Sequence, residues 1–267
     1  MAKTPSSWLV LVAQLAVHSY ILVVDGFAAP VGMSSLPVAD IPCIDLADKG
    51  EAAALALRDA CRRVGFFSVT GHGIKPRSIE NVYQASGRLF DLPVAEKEKM
   101  VVGDMLRSRG WEMSPEHRRF LEEFREGYQA GAFTDPGALA REPSAATGIL
   151  NERFCIGPDC PEAYRGKDTG DLFFPPNVWP PEESTAGLEE ALRTLYSEME
   201  QASGLVLGAL ARSLGLAEAA VEPYLRGHCS NLQVANYPSQ YQLERVTSPL
   251  RVKAHADSGT VTLLIRQ

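Results

Sequence analysis

The sequence predicts an α+β fold, and three observations predict it. Between residues 41 and 90, short β-prone runs alternate with stretches of helical period. Residues 188–214 hold one helical period from end to end. After Gly227, apolar and polar residues alternate as in half-buried strands. A chain of 267 residues buries a substantial core, as one large domain or two small ones.

The elements follow in order. Ile41 to Leu46 is a short β-prone run. Ala53, Leu57, Ala60, Cys61 and Val64 recur at helical spacing, and Gly65 supplies the stop. "FFSVT" is a strand, closed by the Gly71-His72-Gly73 turn. His72, flanked by glycines, reads as a locally hydrogen-bonded turn residue rather than a metal ligand. Pro76 opens a helix with Ile79, Val82, Tyr83, Ser86 and Phe90 on one face. From Gly110 to Pro181, frequent Gly and Pro predict strand fragments joined by long loops of the kind that line substrate. Within them "FFPPNVWPP" reads as a loop packed on its own domain, ahead of a docking motif for a proline-reading module. Leu188, Leu192, Leu195, Met199, Ala202, Val206, Ala209, Leu210 and Leu214 form the apolar stripe of a long core helix. It bends at Gly204 and stops at Gly215. A shorter helix, "AEAAVEPYLRG", comes next. Leu232 and Val234 then mark a half-buried strand, and Val261 to Ile265 a strongly apolar one.

Composition narrows the function classes. A net charge of −7 and a pI near 5.3 argue against nucleic-acid binding as the main activity, because phosphate recognition needs a basic surface. The five cysteines, Cys43, Cys61, Cys155, Cys160 and Cys229, are odd in number, scattered, and form no C-x-x-C pair. They read as free thiols of a reducing compartment, with a Cys155–Cys160 disulfide the lesser reading.

The N-terminus stands apart. Lys3 precedes an apolar stretch from Trp8 to Val24 that Gln14, His18 and Ser19 interrupt. A membrane-spanning helix takes about 20 strongly apolar residues, so a signal-peptide core fits better. Cleavage after Gly26 leaves Phe27 first, and "GFAAP" resembles the Phe-led junction of plastid-directed presequences in algae with secondary plastids. A plain secretory signal and an uncleaved anchor remain the alternatives, and the protein is cytoplasmic if the segment is no working signal. Residues 1–36 are therefore set aside as a targeting segment, with no stable membrane partner expected after its removal.

The chemistry sits near the other end, in "VKAHADSGTVTLLIRQ". His255 and Asp257 are two apart, so on a strand they project from one face about 7 Å apart. One imidazole and one carboxylate, with a second histidine from elsewhere, make the facial triad that holds Fe(II) and leaves three positions open. Gly259 lets the backbone turn close to such a site. An H-x-D alone is also what a surface His-Asp pair looks like.

The surroundings go further. "NYPSQ" followed by "HADSGTVTLL" resembles the Fe(II)/2-oxoglutarate-dependent dioxygenases of the isopenicillin N synthase-like group, with His255, Asp257, Gly259, Thr262, Leu263 and Leu264 matching. "IPCIDL", "ACRRVGFFSVTGHGI" and "LFDLPVAEK" resemble the N-terminal region of the same group. The resemblance runs from residue 40 to 267 and is thin through the middle loops. It implies a double-stranded β-helix (jelly-roll) core, incomplete in this chain, with an N-terminal α/β unit and the long helix beside it. It divides the chain into a targeting segment (1–36), a non-haem dioxygenase N-terminal region (37–135), and a part with connecting loops, long helix and the start of the oxygenase core (136–267).

The same resemblance implies the function. His255 and Asp257 would be iron ligands and Tyr237 a wall of the co-substrate pocket, with Fe(II) as metal and 2-oxoglutarate and O2 as co-substrates. A small organic substrate would be hydroxylated or otherwise oxidised at an unactivated C–H bond. The group's distal histidine and Arg-x-Ser belong downstream of the H-x-D strand, beyond Gln267, and neither His117 nor His228 stands at a ligand position. Gln233 and Ala235 replace the Arg and Asn the group often carries before Tyr237-Pro238. The alternative is a non-catalytic or vestigial binding protein that keeps the first half of the fold. On either reading "TVTLLI" is expected to be an unpaired apolar sheet edge, a pairing liability.

Overall fold

The structure, a computed structural model, describes residues 9–13, 19–24, 41–102, 109–114, 118, 151–237 and 259–266. Its strands are β1 (Leu9–Ala13), β2 (Ser19–Val24), β3 (Cys43–Asp45), β4 (Phe66–Thr70), β5 (Gly110–Met113), β6 (Glu152–Ile156), β7 (Asn231–Asn236) and β8 (Val261–Arg266). The helices are α1 (Glu51–Arg63), α2 (Pro76–Phe90), α3 (Val94–Glu98), α4 (Asp168–Phe173), α5 (Leu188–Ser213) and α6 (Glu222–Leu225). Mixed helix and sheet is what the sequence predicts.

The described strands form one sheet in the order β3-β4-β1-β8-β2-β7-β6-β5. Its pairing register aligns Trp111, Phe154, Val234, Leu22, Ile265, Leu9, Val69 and Ile44 in a single row across all eight strands. Five of them, Trp111, Phe154, Val234, Val69 and Ile265, are at most 2% exposed. Those five and Ile44 belong to one buried cluster, so they are the sheet's side of the core.

Helix α5 covers that core. Its stripe of Leu188, Leu192, Leu195, Met199, Ala202 and Val206 is buried and belongs to the same cluster as those six strand residues. Truncating a fully buried leucine such as Leu192 to Ala costs about 2–5 kcal/mol. The helix runs continuously through Gly204, where an added β-carbon would lie 3.8 Å from the Leu225 side chain. Leu214 departs from the predicted stripe. It follows the last helical residue and is 70% exposed.

Glu198 of α5 ties the helices together. Its Oε2 accepts the Lys75 backbone N–H at 3.0 Å, and its Oε1 accepts the Ser78 hydroxyl at 3.0 Å. Lys75 is the N-cap of α2 and has no side-chain cap of its own. A carboxylate from another element thus occupies the positive end of α2, where its charge is favoured and an orphan N–H is satisfied.

One expectation is corrected by the sheet. Val261 to Ile265 is not an open edge, for β8 pairs antiparallel with β1 and parallel with β2. The strands that flank it come from the N-terminal stretch set aside as a targeting segment. The physical reason is shared: each of these three stretches is apolar and β-prone, and an apolar edge recruits such partners. Among the described residues no helix is long and apolar enough to cross a membrane.

Candidate active site

Tyr237 follows directly on the last residue of β7 and is half-buried. Two residues before it, Ala235 is buried, and Gln233 receives the Cys155 thiol at 3.7 Å. Strand alternation puts Gln233 and Ala235 on the face opposite Leu232 and Val234, hence away from α5. Arg153 and Glu112 join that face, with Arg153 Nε donating to Glu112 Oε2 at 2.6 Å. Cys155 lies in the same rank, and burial pushes its thiol pKa up to about 12, so it stays protonated and unreactive.

The helix side of the same strands carries a buried charge cluster. Lys97 Nζ donates to Glu152 Oε2 at 2.7 Å and to the Phe90 carbonyl at 2.8 Å. Trp111 Nε1 donates to the same Oε2 at 2.8 Å, and Asn236 Nδ2 to Oε1 at 3.0 Å. Close by, Arg109 is 5% exposed, and burial is the main influence lowering its pKa, offset in part by Tyr196 and Cys155. A β-carbon at Gly157 would overlap its guanidinium, so a larger residue there would force that side chain to move.

The loops pack as the sequence predicts for "FFPPNVWPP". Asn177 clamps Gly157 with both ends of its amide, Oδ1 accepting the N–H at 2.8 Å and Nδ2 donating to the carbonyl at 2.9 Å. Trp179 sits 6.0 Å from the Phe154 ring, centroid to centroid, with the Arg193 guanidinium 5.4 Å above it. All five cysteines are free.

Of the predicted site residues, the structure describes Tyr237. His255 and Asp257 lie outside the described residues, as do Pro238 and His117. His255, Asp257 and Pro238 fall in the connection between β7 and β8, strands that lie one apart in the sheet with β2 between them. Among the described residues no group of three His, Cys, Asp or Glu is placed to hold a metal. His228 is engaged elsewhere, its Nε2 2.6 Å from Glu200 Oε1 and its Nδ1 3.0 Å from Ser230 Oγ. His72 accepts the Ile74 N–H on Nδ1 at 3.1 Å, the local bond expected of a turn histidine. As donors, imidazole and carboxylate suit ferrous iron, so the His255–Asp257 pair fits the metal in kind.

Comparison with known proteins gives the class. Residues 37–182 match the family model described as the non-haem dioxygenase in morphine synthesis N-terminal region. Validamycin A dioxygenase of Streptomyces hygroscopicus subsp. limoneus is 31% identical over 87% of this chain and 58% of its own length. Clavatol oxidase of Penicillium crustosum is 28% identical over 79% of the chain and 59% of its own length. A 2-oxoglutarate-dependent dioxygenase of Trichoderma harzianum is 29% identical over 85% and 64%. Among solved structures, a C-terminally truncated protein of Neurospora crassa in its apo form matches with a TM-score of 0.51 at 19% identity, over 74% of this chain and 62% of that one. A 2OG-Fe(II) oxygenase family protein of Caulobacter crescentus gives the same score and identity over 70% and 52%. The fold is that of the 2OG-Fe(II) oxygenases, and the chain belongs to the non-haem dioxygenase family. It spans 56 to 64% of the length of the first four curated relatives.

Proposed function

We propose that this chain carries the metal-binding part of an Fe(II)/2-oxoglutarate-dependent dioxygenase acting on a small organic molecule. The supporting observation is the family match over residues 37–182, continued by relatives that carry the likeness over as much as 87% of the chain. His255 and Asp257 would hold the iron through imidazole nitrogen and carboxylate oxygen. When bound, ferrous iron supplies the oxygen-activating chemistry that couples 2-oxoglutarate decarboxylation to oxidation of a substrate C–H bond. Tyr237 lines the co-substrate pocket from the end of β7. The jelly roll would be completed by strands beyond those described, and with them the third ligand. The apolar N-terminal stretch would serve as a secretory-route address.

Oxygen-dependent formation of succinate from 2-oxoglutarate tests the reading on the full-length protein. Expected is turnover with Fe(II) that His255→Ala or Asp257→Ala lowers about a hundredfold or more. Turnover that survives both substitutions rejects them as ligands. No turnover in the unsubstituted protein, with iron shown to be bound, favours the non-catalytic alternative.

A further inference from the structure

We propose that Glu152 is a positioning residue for the co-substrate pocket: it pins the last residue of β7 and so fixes where Tyr237 stands. The inference rests on Tyr237 being a wall of that pocket.

Glu152 opens β6 and pairs in register with Asn236, which closes β7. The side chains of Lys97 and Glu152 are 5% and 6% exposed. A buried ion pair recovers its lost hydration only when its remaining polar sites are bonded as well. Here they are. The carboxylate accepts from Lys97 of α3, Trp111 of β5 and Asn236 of β7, and the ammonium also reaches the Phe90 carbonyl that ends α2.

Apolar side chains would fill the same volume without that desolvation. The ionic arrangement adds direction, because hydrogen bonds hold four elements at set distances where apolar contacts let them slide. Of the four, β7 is the one that leads into the proposed site. Asn236 is anchored on the helix side, so the next residue leaves the strand from a fixed point. Glu152 itself lies on the helix side and acts through Asn236.

Two substitutions separate this role from bulk stability. Lys97→Met with Glu152→Leu removes both charges together, so none is left unpaired. Asn236→Ala removes one contact and leaves the ion pair. Amide exchange is followed over residues 231–237 and over α5 in the full-length protein. Binding of 2-oxoglutarate is measured by calorimetry with Mn(II) as the metal. Both variants are expected to exchange about tenfold faster at Asn236 and Tyr237 with α5 unchanged. Both are expected to bind 2-oxoglutarate about fivefold more weakly. Asn236→Ala added to Tyr237→Phe should weaken binding no further than Tyr237→Phe alone, since the two act through one group.

Unchanged exchange at Asn236 and Tyr237 overturns the proposal whatever the binding shows. Additive effects of Asn236→Ala and Tyr237→Phe overturn the route through Tyr237. Faster exchange in a protein whose unsubstituted form binds no 2-oxoglutarate overturns the pocket reading instead and leaves Glu152 as an anchor of β7. If the double variant does not fold, Asn236→Ala decides the matter alone.

Discussion

His72 shows what a single residue does for pH response. Its Nδ1 accepts the Ile74 N–H, which a proton on that nitrogen would forbid. Burial lowers its pKa from 6.5. A histidine with a depressed folded pKa contributes stability that is present above the unfolded value and lost as pH falls through the folded one. The urea midpoint should therefore drop as pH falls below about 6.5, and drop less in His72→Gln, which cannot titrate. Equal drops in both proteins would show that the histidine is silent. The turn role of His72 was legible because its glycine neighbours allow little else. Lys97 and Glu152 were not. Lys97 sits in "VAEKEK", which reads as a solvated charged face, and Glu152 in a stretch with no period. What buries them is the meeting of α3 with β5, β6 and β7, and spacing along one segment carries no trace of that.

At the scale of elements, the cap on α2 is the most exposed to test. Lys75 offers no side-chain cap, and Glu198 supplies one from α5. Glu198→Gln keeps hydrogen-bonding capacity and loses the charge on the helix dipole, for about 0.3–1 kcal/mol. Glu198→Ala also loses the acceptor for the Lys75 N–H and should cost about 1–2 kcal/mol more, read as a shift in urea midpoint at unchanged slope. A loss for Gln as large as that for Ala would place the whole contribution in the charge. Both helices were predictable from local signals: Pro76 at the first turn of α2, and the apolar stripe of α5 closed by Gly215. The capping carboxylate was not, because Glu198 lies in a run that already reads as the polar side of α5. The candidate site divides the same way. The H-x-D pair is visible as a motif, while the neighbours of Tyr237 come from cross-strand register.

For the whole molecule, the placement of β8 sets the strongest expectation. Five residues separate β1 from β2, and β8 runs between them. A protein beginning at Phe27 would lack both neighbours of β8. Its amides from Val261 to Ile265 should then exchange faster than in the chain that begins at Met1, with α5 unaffected. Equal protection in both, measured on monomers, would mean that other strands flank β8. Equal protection in a dimer would mean that a second chain had taken their place. The bond between Glu198 and Lys75 spans 123 residues of sequence. At the ribosome's usual pace, α2 waits roughly 6 to 25 s after Lys75 is made before its capping carboxylate exists. During that interval the N-terminal unit is a nascent chain with a frayed helix start and an apolar face of Ile79, Val82 and Phe90 uncovered. Chaperones that read exposed apolar helix should be found on this protein early in its synthesis and released once Glu198 has emerged.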